Sequence, residues 1–212
     1  ARAPQNVTDR PTFSSTAAIS GDPVAAVVSW RSWLAAAAIA LGLSLIFWWP
    51  LYTGGGLLGG DIYTYFFPQK AYLSERLAAG EGPLWNNLVG HGYPVVGESQ
   101  TGLFYPFHLL YAVLDVSTAY NAVQLGHYLL AFLFAWRLTR QLGPGDVAGW
   151  LAGLVYVYGW FPPRIVLEWA ILGGTWLPAA LWVAERFLVR PRCRDLAMLA
   201  VILAVQMLAG HF

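Results

Sequence analysis

Asp61 is the residue whose surroundings first suggest chemistry. It follows Gly54-Gly55-Gly56 and Gly59-Gly60, where a backbone almost free of side chains lets a substrate approach a mobile carboxylate. An acid placed this way suggests catalysis. Other candidates to hold a polar or charged substrate follow it in the chain: Lys70 and Arg76, then His91 and Glu98, then Arg164 and Glu168.

Each candidate also has a plainer reading. Tyr65, Phe66, Leu73 and Leu77 alternate with Lys70 and Arg76 at helical spacing, which predicts an amphipathic helix over about 62–79. Such a helix lies flat on a membrane with its cations at the lipid headgroups. Arg164 and Glu168 stand at the spacing of an ion pair on one helical turn, just after Pro162-Pro163. Four dispersed histidines show no ligand spacing, so no metal is expected. His127, inside an apolar stretch, should hydrogen-bond between helices. The single Cys193 cannot form an internal disulfide and reads as a structural thiol. The glycine runs lack the Lys-Ser or Lys-Thr of a nucleotide loop, and no cofactor is expected.

The elements that must position these residues are apolar. Of the 212 residues, 58% are hydrophobic and 11% charged, more apolar surface than a soluble domain of this size uses. A bilayer core of about 30 Å takes about 20 helical residues. Uncharged stretches at 32–60, 116–136, 147–163, 169–184 and 196–212 predict an all-α integral membrane fold of about five transmembrane helices. A sixth stretch, 99–114, is broken by Pro106 and rich in aromatics. It is expected to lie in the interface or to dip in and return, with a sixth crossing as the competing reading. Gly153, Gly159, Gly173 and Gly174 are expected to allow close helix packing.

The chain therefore divides into a flexible N-terminal segment, 1–31, and a transmembrane helical domain, 32–212, whose large first outer loop covers about 53–115 and carries amphipathic interfacial helices. Nine of the twelve Lys and Arg residues fall on one side of this arrangement: Arg2, Arg10, Arg31, Arg137, Arg140, Arg186, Arg190, Arg192 and Arg194. Positive flanks resist translocation, so that side is cytoplasmic and includes the N-terminus. A net charge of +1 gives no basic footprint for nucleic acid.

Ordered motifs run through the outer loop: Gly60-Asp61, Phe67-Pro68, Gly80-Glu81-Gly82-Pro83-Leu84-Trp85-Asn86, Gly90 to Pro94, and Phe104-Tyr105-Pro106. Further along come Gly126-His127, the run from Arg137 to Gly143, Thr175-Trp176-Leu177-Pro178 and Ala209-Gly210-His211. In order and spacing they resemble the YfhO-type bacterial membrane proteins of the GT-C glycosyltransferase superfamily, over the N-terminal part of such proteins. The resemblance implies a GT-C-like N-terminal module in the bacterial cytoplasmic (inner) membrane. Its reaction would transfer sugar from a polyprenyl-phosphate donor on the extracytoplasmic face. Asp61 matches the base by position, and Lys70, Arg76 and Arg164 are the candidates to hold the donor phosphate.

Two functions from different classes remain open. One is the enzyme, whose later spans would enclose the lipid donor; if 212 residues are the whole protein, catalysis in isolation is not expected. The other is a non-catalytic accessory or scaffold subunit, which would tolerate change at Asp61 and pack its apolar faces against other membrane subunits. A transporter is disfavoured by the scarcity of charge inside the expected spans.

Overall fold

The computed structural model describes residues 28–160 and 167–210. It is mostly helical, and its only sheet among those residues is a two-stranded hairpin. Helix α1, Trp30–Tyr52, starts at Ser29, whose hydroxyl accepts from the Ser32 amide. Near its end Trp48 leaves helical geometry (φ −119°, ψ 23°) two residues before Pro50. A proline inside a helix removes one hydrogen bond and crowds the preceding turn, so the kink has a local cause. Trp48 stacks on Tyr128 with ring centroids 4.7 Å apart.

The chain then folds as a wide π-turn, Ile62–Phe66, running directly into helix α2, Phe67–Ala78. The predicted helix over 62–79 is thus present, with Pro68 at its first positions, where the missing N–H costs nothing. It stops in a Schellman arrangement: Gly80 (φ +70°) donates to Leu77 O and Glu81 N to Arg76 O. Strands β1, Trp85–Asn86, and β2, Tyr93–Pro94, pair antiparallel. Residues 95–112 form three short 3-10 turns, Val95–Gly97, Ser99–Thr101 and Pro106–Ala112. The stretch 99–114 accordingly contains no long helix.

Helix α3, Val116–Gln141, is capped by Asp115, whose carboxylate accepts from the Thr118 amide at 3.0 Å. It packs against α1, α2, α4 and α5. Helix α4, Asp146–Leu154, widens into a π-turn at Val155–Trp160. Helices α5, Glu168–Val189, and α6, Cys193–Leu208, complete the fold and pack on each other. Each of the five uncharged stretches holds one of the helices α1, α3, α4, α5 and α6.

Among the described residues α1 alone is both long and apolar enough to cross a membrane, with a mean hydropathy of 2.0. The others fall short for physical reasons. Helix α3 buries Tyr120, Asn121, Gln124, His127 and Arg137, while α4 and α6 have 9 and 16 residues. Close packing is nonetheless built in where α4 crosses α3. A Cβ on Gly153 would come within 2.8 Å of the Phe132 ring, and one on Gly149 within 2.6 Å of Trp136. Gly159 does not serve this way, since a Cβ there would meet only Val155 at 3.8 Å. Cys193 is exposed at the start of α6 and packs into no core.

Candidate functional site

Asp61 is exposed, and its carboxylate caps no helix. It immediately precedes Ile62 and Tyr63, which help wall a pocket of about 190 Å³. Gly54, Gly55 and Gly56 also line it, as do Ser117, Tyr120 and Asn121 of α3. The glycine run is held by α3: Asn121 Nδ2 donates to Leu51 O at 3.2 Å and to Gly55 O at 2.6 Å. Gly55 has to be glycine, because a Cβ would lie 2.8 Å from Pro50 O. The glycines line this mainly apolar pocket, whereas Asp61 is not among its lining residues and adjoins it in sequence only.

Lys70 departs from expectation. It does not reach outward as an interfacial cation; it is fully buried, and its ammonium pairs with Glu168 Oε1 at 3.0 Å. It also donates to Thr101 O at 2.6 Å. The reason is visible in the packing of α2, whose inner face buries Tyr72 and Leu73 next to Lys70 and turns the lysine toward the first turn of α5. Glu168 is itself only 1% exposed, and a carboxylate in the first turn of a helix gains from the helix dipole. The partner of Glu168 is thus Lys70 on a distant element. Arg164, expected as its local partner, lies outside the described residues. Burial lowers the Lys70 pKa, and the charges of Glu168 and Glu98 oppose that shift.

His108, from the turn Pro106–Ala112, completes this buried group. Its Nδ1 donates to Gly102 O at 2.7 Å, and its Nε2 lies 3.8 Å from Glu168 Oε1, beyond hydrogen-bonding distance. Gly102 adopts φ +61°, and a Cβ there would sit 2.9 Å from the imidazole, so only glycine lets the ring lie against this turn. Burial first, then the Lys70 ammonium, holds His108 well below the ordinary imidazole value; the bond to Gly102 works against them.

A second polar string runs beside the first. His127 Nδ1 donates to Val123 O at 2.6 Å, its Nε2 accepts from the Tyr105 hydroxyl, and that oxygen accepts from Trp176 Nε1 at 2.8 Å. His127 was expected to bond between helices; it does so through Tyr105, which carries the link from α3 to α5. Thr175 adds a direct contact, donating to Ile171 O at 2.8 Å and lying 3.3 Å from His127 O.

The remaining candidates are dispersed. Arg76 forms an ion pair with Glu81, reaches Asn87 Oδ1 at 3.2 Å and lies over the Tyr72 ring. His91 is exposed in the hairpin turn. Glu98 caps the turn Ser99–Thr101, accepting from the Gln100 amide at 3.1 Å and from the Thr101 amide and hydroxyl at 2.6 and 2.5 Å. Burial acts to raise its pKa, but the hydrogen bonds from Thr101 and Tyr65 and from the turn amides outweigh it and hold it low. Sequence reasoning missed His108 and Thr101. The one signal for His108 was a polar ring in an uncharged, Pro-broken stretch, which must find a partner if it is buried.

A larger apolar pocket, about 460 Å³, lies between α2 and the 103–109 segment, with Tyr105 and His108 among its lining residues. Among the described residues no group of His, Cys, Asp and Glu is arranged to hold a metal ion. Comparison of the chain with protein-family models, curated proteins and solved structures finds no match.

Proposed function

We propose that this chain is the N-terminal module, or a shortened relative, of a multi-pass membrane glycosyltransferase of GT-C type. It would act on the extracytoplasmic face of a bacterial inner membrane with a polyprenyl-phosphate sugar as donor. Asp61 is the proton acceptor. The acceptor hydroxyl loses its proton to Asp61 as its oxygen bonds to the anomeric carbon, and the bond from that carbon to the donor phosphate breaks, releasing polyprenyl phosphate. The observation that carries this reading is the exposed carboxylate of Asp61, next in sequence to Ile62 and Tyr63 of a pocket that Gly54, Gly55 and Gly56 also line. The order of the outer-loop motifs supports it as well.

The bilayer setting is supported by the apolar length of α1 and by large apolar side chains left exposed on the other helices, among them Leu151 and Val155, Leu177 and Leu181, and Val201 and Met207. Contiguous exposed apolar surface needs a lipid or protein partner. Lys70 no longer qualifies as a phosphate ligand, since Glu168 and Thr101 occupy its ammonium. Of the candidate cations among the described residues, Arg76 alone stays partly exposed, and a donor phosphate would have to displace its present partners, Glu81 and Asn87.

A second reading, a non-catalytic accessory subunit, is favoured by the exposed apolar residues of α6, Leu196, Val201, Leu203 and Met207, a surface suited to a neighbouring membrane helix. Transfer assays in lipid vesicles with a polyprenyl-phosphate sugar separate the two. Asp61→Asn should cut transfer by about 100-fold or more. Undiminished transfer by that variant removes Asp61 from the chemistry. No transfer by the unaltered chain, together with co-purifying membrane subunits, favours the accessory role.

A further inference from the structure

The buried group around Glu168 is unbalanced in its hydrogen bonds. His108 uses Nδ1 as a donor to Gly102 O, so the neutral ring presents a bare lone pair at Nε2. That atom has no hydrogen-bond partner, and neither does Glu168 Oε2. The nearest carboxylate oxygen to Nε2, at 3.8 Å, is the one already held by Lys70. Two acceptors thus face one another in a place that solvent does not reach, with His108 2% and Glu168 1% exposed. A proton on Nε2 would turn one of these acceptors into a donor.

We propose that His108 and Glu168 form a proton-binding site that controls the attachment of α2 to α5. In the neutral state Lys70 alone claims Glu168 Oε1, and α2 is fastened to the first turn of α5. A proton on His108 Nε2 places a second cation against the same carboxylate oxygen, where it competes with Lys70. The cluster then carries one positive charge too many for a dry site, and the strain is relieved when α2 leaves and the imidazolium meets water.

The groups facing this site are few. Lys70 comes from α2, Glu168 from α5, Tyr120 and His127 from α3, and Tyr105 and Tyr111 from the turn of His108 itself. Glu98 acts on Lys70 from the far side, through Thr101. Burial and the Lys70 charge keep the imidazole well below its ordinary value while α2 is attached; released, it returns to about 6.5. The sign follows: attachment is complete above that value and weakens as pH falls below it, because the detached state binds the proton better. The site stands apart from sugar transfer at Asp61, and each can fail without the other.

The test is amide hydrogen exchange of α2 in the full chain in lipid nanodiscs, corrected for the intrinsic pH dependence. As pH falls from 6.5 to 5 the opening constant of α2 should rise about 15-fold, its slope approaching tenfold per pH unit, one proton per opening, at the acid end. His108→Gln, which keeps a donor toward Gly102 O and does not titrate, should abolish that slope. A flat profile in the unaltered chain, or the same slope in His108→Gln, overturns the proposal. Should His108→Gln not fold, ¹⁵N-histidine spectra of the unaltered chain decide. His108 gaining its Nε2 proton in step with faster α2 exchange supports the site, and an imidazolium with α2 still protected overturns it.

Discussion

The two ends of α5 solve the same problem in opposite ways. At its first turn Glu168 meets Lys70 in a site closed to solvent; at its last turn Arg186, 22% exposed, meets a buried Asp195 at 2.6 Å, so that one partner alone reaches water. Between α3 and α4, Arg140 meets Asp146 at 3.1 Å with both side chains partly exposed, 20% and 30%. Both ends obey the helix dipole, acid at the N-terminus and base at the C-terminus. They differ in what failure costs. Loss of Asp195 leaves an arginine that water can reach, whereas loss of either partner of the dry pair leaves an ion that water cannot reach.

The sharpest way to break this contrast is Glu168→Gln, which strands the Lys70 ammonium. It should lose about 3–5 kcal/mol, read by denaturant unfolding in detergent. Replacing both partners, Lys70→Met with Glu168→Leu, should recover most of the loss, because an apolar pair needs no compensation. A single-variant loss no larger than that of a surface pair would mean the two ends are alike after all.

Tyr105→Phe tests the neighbouring neutral string and should cost about 1–3 kcal/mol, since buried His127 Nε2 and the Trp176 N–H both lose their partner. At the wet end Arg140→Ala should cost only about 0.2–1 kcal/mol, and the difference should vanish in molar salt. The smallest effect is expected at Glu98. Its folded-state pKa is held down by Thr101, Tyr65 and the turn amides against the opposing push of burial. Its contribution is therefore full above the usual carboxylate value of about 4.3 and declines as pH falls through the lower folded value. Glu98→Gln should flatten that part of the acid unfolding profile.

Much of the helix inventory was readable from charge-free stretches and their punctuation. Pro50, Gly80, Asp115 and Pro106 mark boundaries or breaks for reasons carried by the residues themselves. The face of α2 was not readable. Its alternation fits a helix with Lys70 turned to water as well as one with Lys70 turned inward, and the deciding partner, Glu168, lies beyond α3 and α4 in the chain. Local spacing assigned Glu168 to Arg164, four residues away, while the fold brings it to Lys70. Sequence periodicity reports which residues share a face; it is silent on which distant carboxylate that face will meet. Asp61 was easier to place, because its environment is set by adjoining glycines.

The Lys70–Glu168 contact also bears on how the molecule comes to be made. Translation delivers the lysine first, and α3 and α4 must both emerge before its counter-ion exists. Until then an ammonium sealed inside the protein would go uncompensated, at a cost of several kcal/mol. The outer helix therefore cannot seat early, and its docking waits for the arrival of α5. Nascent chains halted upstream of Glu168 should leave α2 open to proteases that cannot cut it in the finished protein.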